Sequence, residues 1–202
     1  MEGDISTALI VEILATAANL FYVILLIREK ILCWAFGIVG SLLSVYLFID
    51  ARLYSEAFLY LFFAAMGGWG WLRWHQRAAE NANPVTKWPA LFHWCALIVG
   101  SLLALCLGYS VQTYSDAERP VLDAFTTVFS ILATYMEIAK VLEAWIYWLI
   151  LNLASVWLYH DRSLDIYAVL IALYSVLSVW GFFSWRKTYH LQQESQLHVS
   201  ES

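Results

Sequence analysis

The residue with the clearest chemistry in this chain is Asn152. It stands inside a long apolar run from Trp145 to Trp185, WIYWLILNLASVWLYHDRSLDIYAVLIALYSVLSVWGFFSW. A carboxamide both donates and accepts hydrogen bonds, so it can read a heteroaromatic ring or a hydroxyl. Trp148, Ser155 and Tyr159 follow helical spacing around it and share its face. Ser178 and Tyr174 lie in the same run. Two roles are open for Asn152: contact with a ligand, or a hydrogen bond that holds two membrane helices together. A second polar series, Asp123, Thr127, Ser130, Thr134 and Glu137, recurs at helical spacing upstream. Glu137 attracts a cationic solute or pairs with Lys140 one turn away. The chain also carries 11 tryptophans and 12 tyrosines. Central ones (Trp148, Trp69, Trp180, Tyr60 and Tyr174) can stack on a flat ring or hold a cation. Trp34, Trp74, Trp88, Trp145 and Trp185 are expected to anchor the chain at the membrane interface.

These residues must be positioned by membrane helices. Of 202 residues, 62% are hydrophobic and 13% charged, about half the charge of a soluble domain. Such a chain cannot hide its apolar surface in one soluble core. The net charge of −5 says little about partners. Cys33, Cys95 and Cys106 have no metal spacing and are expected to act as small buried hydrophobes. The start, MEGDISTALI, shows no basic region or cleavage site, so its first apolar stretch is expected to stay as a helix. The five histidines form no cluster with carboxylates or nucleophiles. An integral-membrane enzyme or a sensor is the alternative class, and nothing in the motifs favours it. No cofactor, metal or nucleic acid is expected.

Seven segments are long enough to cross about 30 Å of hydrocarbon. They cover approximately 6–27, 31–49, 54–74, 89–109, 121–139, 142–160 and 164–185. The connections at 75–88 and 110–120 leave no room for a soluble domain, and the tail from Thr188 is expected to fray. Arg28, Lys30, Arg73, Arg77, Lys87, Lys140, Arg186 and Lys187 collect on one side, against Arg52, Arg119 and Arg162 on the other. This bias predicts an external N-terminus and a cytoplasmic C-terminus. Asp116, Glu118 and Asp161 on the outer side add little.

The chain also repeats itself at an offset of 111. Trp34 pairs with Trp145, Ser44 with Ser155, Asp50 with Asp161, Trp69 with Trp180, Gly70 with Gly181, and Trp74 with Trp185. The same offset sets Glu12, Asn19 and Ser41 against Asp123, Ser130 and Asn152. Repeat one covers about 6–74, a linker helix about 89–109 and repeat two about 121–185. Three helices, a connecting helix and three more predict an all-α membrane protein with a 3+1+3 parallel repeat. That arrangement points to a transporter. Because Ser41 and Gly37 stand opposite Asn152 and Trp148, the second repeat is expected to hold the richer half of the binding site.

In order and spacing, the chain resembles the PnuC-type vitamin transporters over roughly 10–188. The resemblance rests on Glu12, REK at 28–30, WAFG at 34–37, Leu53-Tyr54, GWGWLRW at 68–74, and Asp123, Ser130 and Ala133. It continues through Lys140, Glu143, Trp145, Trp148, Asn152 and Ser155 to Gly181 and Trp185. It implies a full-length SWEET-like fold of seven transmembrane helices, a homotrimer in the bacterial inner membrane, and facilitated diffusion. A cytoplasmic kinase would trap the substrate by phosphorylation. It also implies that Asn152 and Trp148 contact substrate, with Thr134 and Tyr174 beside them; Glu137, Ser155, Ser178 and Tyr60 complete the candidate set. Gly40 and Gly67 stand where nicotinamide riboside carriers of the family tend to have polar residues. This thinning of polar groups favours thiamine as the cationic heteroaromatic vitamin, with nicotinamide riboside as the alternative.

Overall fold

Apolar runs broken only by short polar turns leave the backbone one way to satisfy its hydrogen bonds in hydrocarbon, which is helix. The computed structural model describes residues 2–50, 54–79, 83–114, 120–161 and 165–200. Within them lie α1 (Glu2–Ile27), α2 (Cys33–Asp50), α3 (Tyr54–Ala79), α4 (Ala90–Tyr114), α5 (Pro120–Ile138), α6 (Ala144–Asp161) and α7 (Asp165–Ser200). Arg52, Leu53, Asp116, Glu118, Arg119 and Arg162 lie outside the described residues, as do the side chains of Tyr54, Tyr159 and Asp161. The chain forms two units, Met1–Asn83 and Pro84–Ser202. In the first, α2 packs against α1 and α3; in the second, α5 packs against α4 and α6, and α6 against α7.

The expected seven crossings need correction. Among the described residues, four stretches are long and apolar enough to span a bilayer: Thr7–Ile27, Cys33–Asp50, Ala90–Thr113 and Pro120–Ile138. The apolar part of α6, Ala144–Val156, is shorter. In α3 the glycines, tryptophans, Arg73 and Arg77 dilute the apolar run. The polar tail also differs from expectation, since α7 stays helical to Ser200.

Each unit turns a corner in the same way. Helix α1 ends with Glu29 at φ 55° and α5 with Lys140 at φ 53°, 111 positions apart. In the first turn Lys30 N donates to Leu25 O at 2.9 Å and Glu29 N to Leu26 O at 2.9 Å. In the second, Val141 N donates to Met136 O at 2.8 Å and Lys140 N to Glu137 O at 3.0 Å. This is the Schellman pattern, usually built on glycine. A side chain in that left-handed conformation costs about 1–2 kcal/mol, and both turns accept it. In the second unit a strap before α4 lies on the turn. Thr86 N donates to Lys140 O and Leu142 N to Thr86 O, both at 2.9 Å, while Val85 N reaches Gln192 Oε1 at 3.1 Å.

Four tryptophans expected at the interface are instead core. Trp34, Trp74, Trp145 and Trp185 are all 2% exposed or less. Trp34 meets Trp74 edge to face at 5.4 Å, and Trp145 meets Trp185 the same way at 5.3 Å. The indoles of Trp34 and Trp145 lie over glycine. A Cβ on Gly70 would stand 2.6 Å from Trp34 ring atoms, and one on Gly181 would stand 2.5 Å from those of Trp145. The cysteines also depart from expectation. Cys33 is buried, but Cys95 and Cys106 are exposed on α4. On a membrane helix an apolar side chain can face outward, so burial no longer follows from apolarity.

The glycine contacts set a prediction. Gly181→Ala should destabilise the protein by about 1–3 kcal/mol, because a fully buried indole cannot move aside. Gly68→Ala is the control, since its Cβ would meet nothing within 4 Å. Melting temperatures in detergent should fall for the first variant and stay level for the second.

Candidate functional site

The second unit brings three of the candidate residues into one hydrogen-bonded chain. Asn152 Nδ2 on α6 donates to Ser178 Oγ on α7 at 3.3 Å, and Ser178 Oγ donates to Tyr174 O at 2.9 Å. Ser178 is buried, while Asn152 and Tyr174 are half-buried. Asn152 therefore does hold two helices together. One bond does not exhaust it, however, because a carboxamide has a second N–H and an acceptor oxygen. Neither has a partner among the described residues.

Trp148 precedes Asn152 by one turn of α6. Its indole Nε1 is sealed from the surface and has no hydrogen-bond acceptor among the described residues. A buried, unused donor costs about 1–3 kcal/mol, so the position is costly unless an acceptor arrives. Ser155, half-buried, follows Asn152 by one turn. On α5, Thr134 is buried and its hydroxyl donates to Ser130 O at 2.8 Å, while Ser130 donates to Thr127 O at 3.0 Å. Hydroxyls turned back on their own helix keep lone pairs free to accept.

Glu137 and Lys140 sit at the α5–α6 turn, 3% and 4% exposed. Buried charges of opposite sign this close in sequence belong to the turn as much as to any ligand. Tyr60 lies in the first unit, in an aromatic cluster with Phe48 at 5.1 Å and Phe63 at 5.8 Å. Trp69 and Trp180 are 43% and 47% exposed, so neither is enclosed within its unit. Two further polar features are absent from the expectations drawn on sequence. Ser175, one turn from Ser178 on α7, is buried and donates to Ile171 O at 3.1 Å; its spacing could have revealed it. His93 Nδ1 on α4 lies 3.1 Å from the Tyr147 hydroxyl on α6, and no spacing rule announces a contact between those helices.

The first unit changes the meaning of Gly40. A Cβ there would fall on the Asn19 carboxamide, 2.9 Å from Cγ and closer still to Oδ1. The missing side chain on α2 is thus matched by a polar one from α1. At this position the polar group stands on the neighbouring helix, whereas the space at Gly67 is taken by Ile38. Thiamine loses the support that thinning at Gly40 would lend it.

Comparisons with known proteins agree. The chain is 28% identical over 173 residues to the nicotinamide riboside transporter PnuC of Escherichia coli K12, covering 72% of each protein. The Neisseria mucosa PnuC is 22% identical over 185 residues, with 86% of this chain and 70% of that protein covered. The Haemophilus influenzae PnuC is 22% identical over 174 residues, with 84% and 76% covered. All three relatives are nicotinamide riboside transporters, which overturns the expectation of thiamine carriage and gives no support to trapping by phosphorylation. The crystal structure of the vitamin B3 transporter PnuC matches with a TM-score of 0.72 at 19% identity, over 88% of this chain and 80% of that one. The fold is accordingly of PnuC type, and the SWEET-like expectation is corrected. A sequence offset finds equivalent segments but does not fix how two halves are arranged. A family profile described as nicotinamide mononucleotide transporter matches residues 9–187, nearly the whole helical chain, and the chain belongs to that family of membrane transporters.

Proposed function

We propose that this protein carries nicotinamide riboside across the bacterial inner membrane. The observation that supports this most directly is the partly spent carboxamide of Asn152 beside the unpartnered indole N–H of Trp148. Nicotinamide riboside offers an amide and ribose hydroxyls that can use both. Its flat cationic ring suits an aromatic wall. The identities with the PnuC transporters point to the same substrate. In this reading Asn152 and Trp148 contact substrate, and Thr134, Ser155, Ser178 and Tyr174 line the route around them. Glu137 completes the inner end; in the first unit, Tyr60 is the candidate contact. Movement is downhill, without ATP. The N-terminus lies outside and the C-terminus in the cytoplasm, as the basic residues suggest, and the working form is a homotrimer.

Labelled nicotinamide riboside should enter vesicles holding the purified protein, without ATP, and should not enter empty vesicles. Absence of uptake, or chemical conversion of the label, would sink the proposal. A protease-sensitive tag on the C-terminus should be cut only from the cytoplasmic side, and cross-linking in the membrane should stop at three copies.

Two substitutions test the contacts. Asn152→Ala should weaken binding by about 0.5–1.5 kcal/mol, the net worth of one hydrogen bond. Trp148→Phe should weaken binding by a similar amount and yet leave the empty protein as stable or slightly more so. The variant no longer buries a donor without an acceptor. Titration calorimetry and melting curves on the same samples separate the two effects. Unchanged affinity for Asn152→Ala would leave that residue as helix-to-helix glue.

A further inference from the structure

The two units repeat the same turn and the same indole-over-glycine contact but exchange polar side chains at corresponding positions. Positions 19 and 41 in the first unit correspond to 130 and 152 in the second. The first unit holds Asn19 and Ser41, and the second holds Ser130 and Asn152. At these positions each unit thus has one carboxamide and one serine, on opposite helices. Size follows the same exchange. In the first unit Tyr22 of α1 lies against Gly37 of α2, and Asn19 lies against Gly40. The corresponding positions in the second unit are Ala133 and Trp148, and Ser130 and Leu151. Large residues sit on α1 with small ones facing them on α2, whereas in the second unit the large ones sit on α6.

The consequence is a repeated aromatic and carboxamide pair. On α1 it is Asn19 with Tyr22, three residues apart; on α6 it is Trp148 with Asn152, four apart. Either spacing puts both side chains on one helix face. The partner that occupies Asn152 has no counterpart, since Gly67 stands where the second unit has Ser178. Asn19 is half-buried and its side chain makes no hydrogen bond among the described residues. The Ser41 hydroxyl likewise has no such bond. A carboxamide in hydrocarbon without a partner costs several kcal/mol, and helix-to-helix glue is not what Asn19 provides.

We propose that Asn19 is the substrate-reading carboxamide of the first unit, as Asn152 is of the second. It takes a group that both donates and accepts, a sugar hydroxyl or a primary amide, with Tyr22 as the aromatic face beside it and Ser41 as a second hydroxyl. Gly40 is the space that lets the carboxamide reach this position. The assignment rests on the transport of nicotinamide riboside proposed above, and it names a second point of recognition.

Two measurements test it on the full chain. Asn19→Ala should weaken nicotinamide riboside binding in detergent about five- to tenfold, as expected for one lost hydrogen bond, with the melting temperature little changed. Gly40→Ala should weaken it comparably by displacing the carboxamide. Independently, Asn19→Cys in a background of Cys33→Ala, Cys95→Ser and Cys106→Ser should react in vesicles with a small charged methanethiosulfonate, and nicotinamide riboside should slow that reaction. Affinity within twofold of wild type for Asn19→Ala, with labelling absent or indifferent to substrate, would overturn the assignment. If the wild type itself binds no nicotinamide riboside, the transport proposal fails. The labelling then decides alone: a reactive thiol at position 19 keeps Asn19 on an aqueous route, and an unreactive one removes it.

Discussion

An indole laid flat over a glycine is the contact on which each unit depends. Trp34 covers Gly70 and Trp145 covers Gly181, and neither glycine could bear a methyl group without pushing into the ring. Between membrane helices there is no hydrophobic drive, because lipid tails are as apolar as leucine, so close packing has to come from shape. The second tryptophan of each pair closes the contact edge to face, a favoured arrangement of aromatic rings. The covering indoles leave their N–H groups buried without acceptors among the described residues, a cost that the tight packing has to offset. The turn five residues before each indole, with its left-handed Glu29 or Lys140, sets where the next helix starts. Turn and contact together fix the phase of α2 and α6, and with it the direction of everything further along them.

On that shared scaffold the side chains are free to differ so long as volumes balance. A bulky residue on one helix requires a small one opposite, and it matters less which helix carries which. Tyr22 with Gly37 and Asn19 with Gly40 are one solution. The corresponding positions of the second unit carry Trp148 with Ala133 and Leu151 with Ser130. Reading one helix alone makes Gly40 look like the loss of a polar group. Reading the packed pair shows that the group has changed helices.

That difference explains what can be read from the sequence. The helices, their approximate limits and the offset of 111 are legible because apolar runs and fixed spacing are one-dimensional properties. Asn152 and Ser178 stand out as residues, since both are polar intrusions in one apolar run, but nothing in the run announces their bond. Trp34, Trp74, Trp145 and Trp185 mislead because a tryptophan near a helix end fits an interfacial anchor equally well. Only the glycines 36 positions on, Gly70 after Trp34 and Gly181 after Trp145, distinguish a packed indole from an anchoring one. Cys95 and Cys106 mislead because the rule that apolar means buried applies in water. Among the described residues fewer stretches qualify as spans than expected, because aromatic and glycine-rich stretches such as α3 look continuous without being strongly apolar. The loss of a polar group inferred at Gly40 is misjudged because Asn19 on the neighbouring helix fills that space.

The same placement of polar groups bears on how a carrier can be both selective and fast. The ionisable residues Glu137 and Lys140 are buried at a turn, whereas Asn19 and Ser41 in the first unit and Thr134, Asn152 and Ser178 in the second are neutral. Neutral groups cost far less to desolvate than a charge, which suits neutral groups in general to a route that empties and refills. Each hydrogen bond they offer is worth only about 0.5–1.5 kcal/mol, so a handful holds a solute without trapping it. Selectivity then comes from the unmatched case: a solute lacking the amide or hydroxyl leaves these groups dry and unpaired, and is rejected more strongly than the proper solute is held. Aromatic faces can attract a cationic ring without a carboxylate beside it. Recognition of a cationic solute by neutral groups and aromatic faces requires no buried carboxylate, and so no charge to neutralise before the solute leaves.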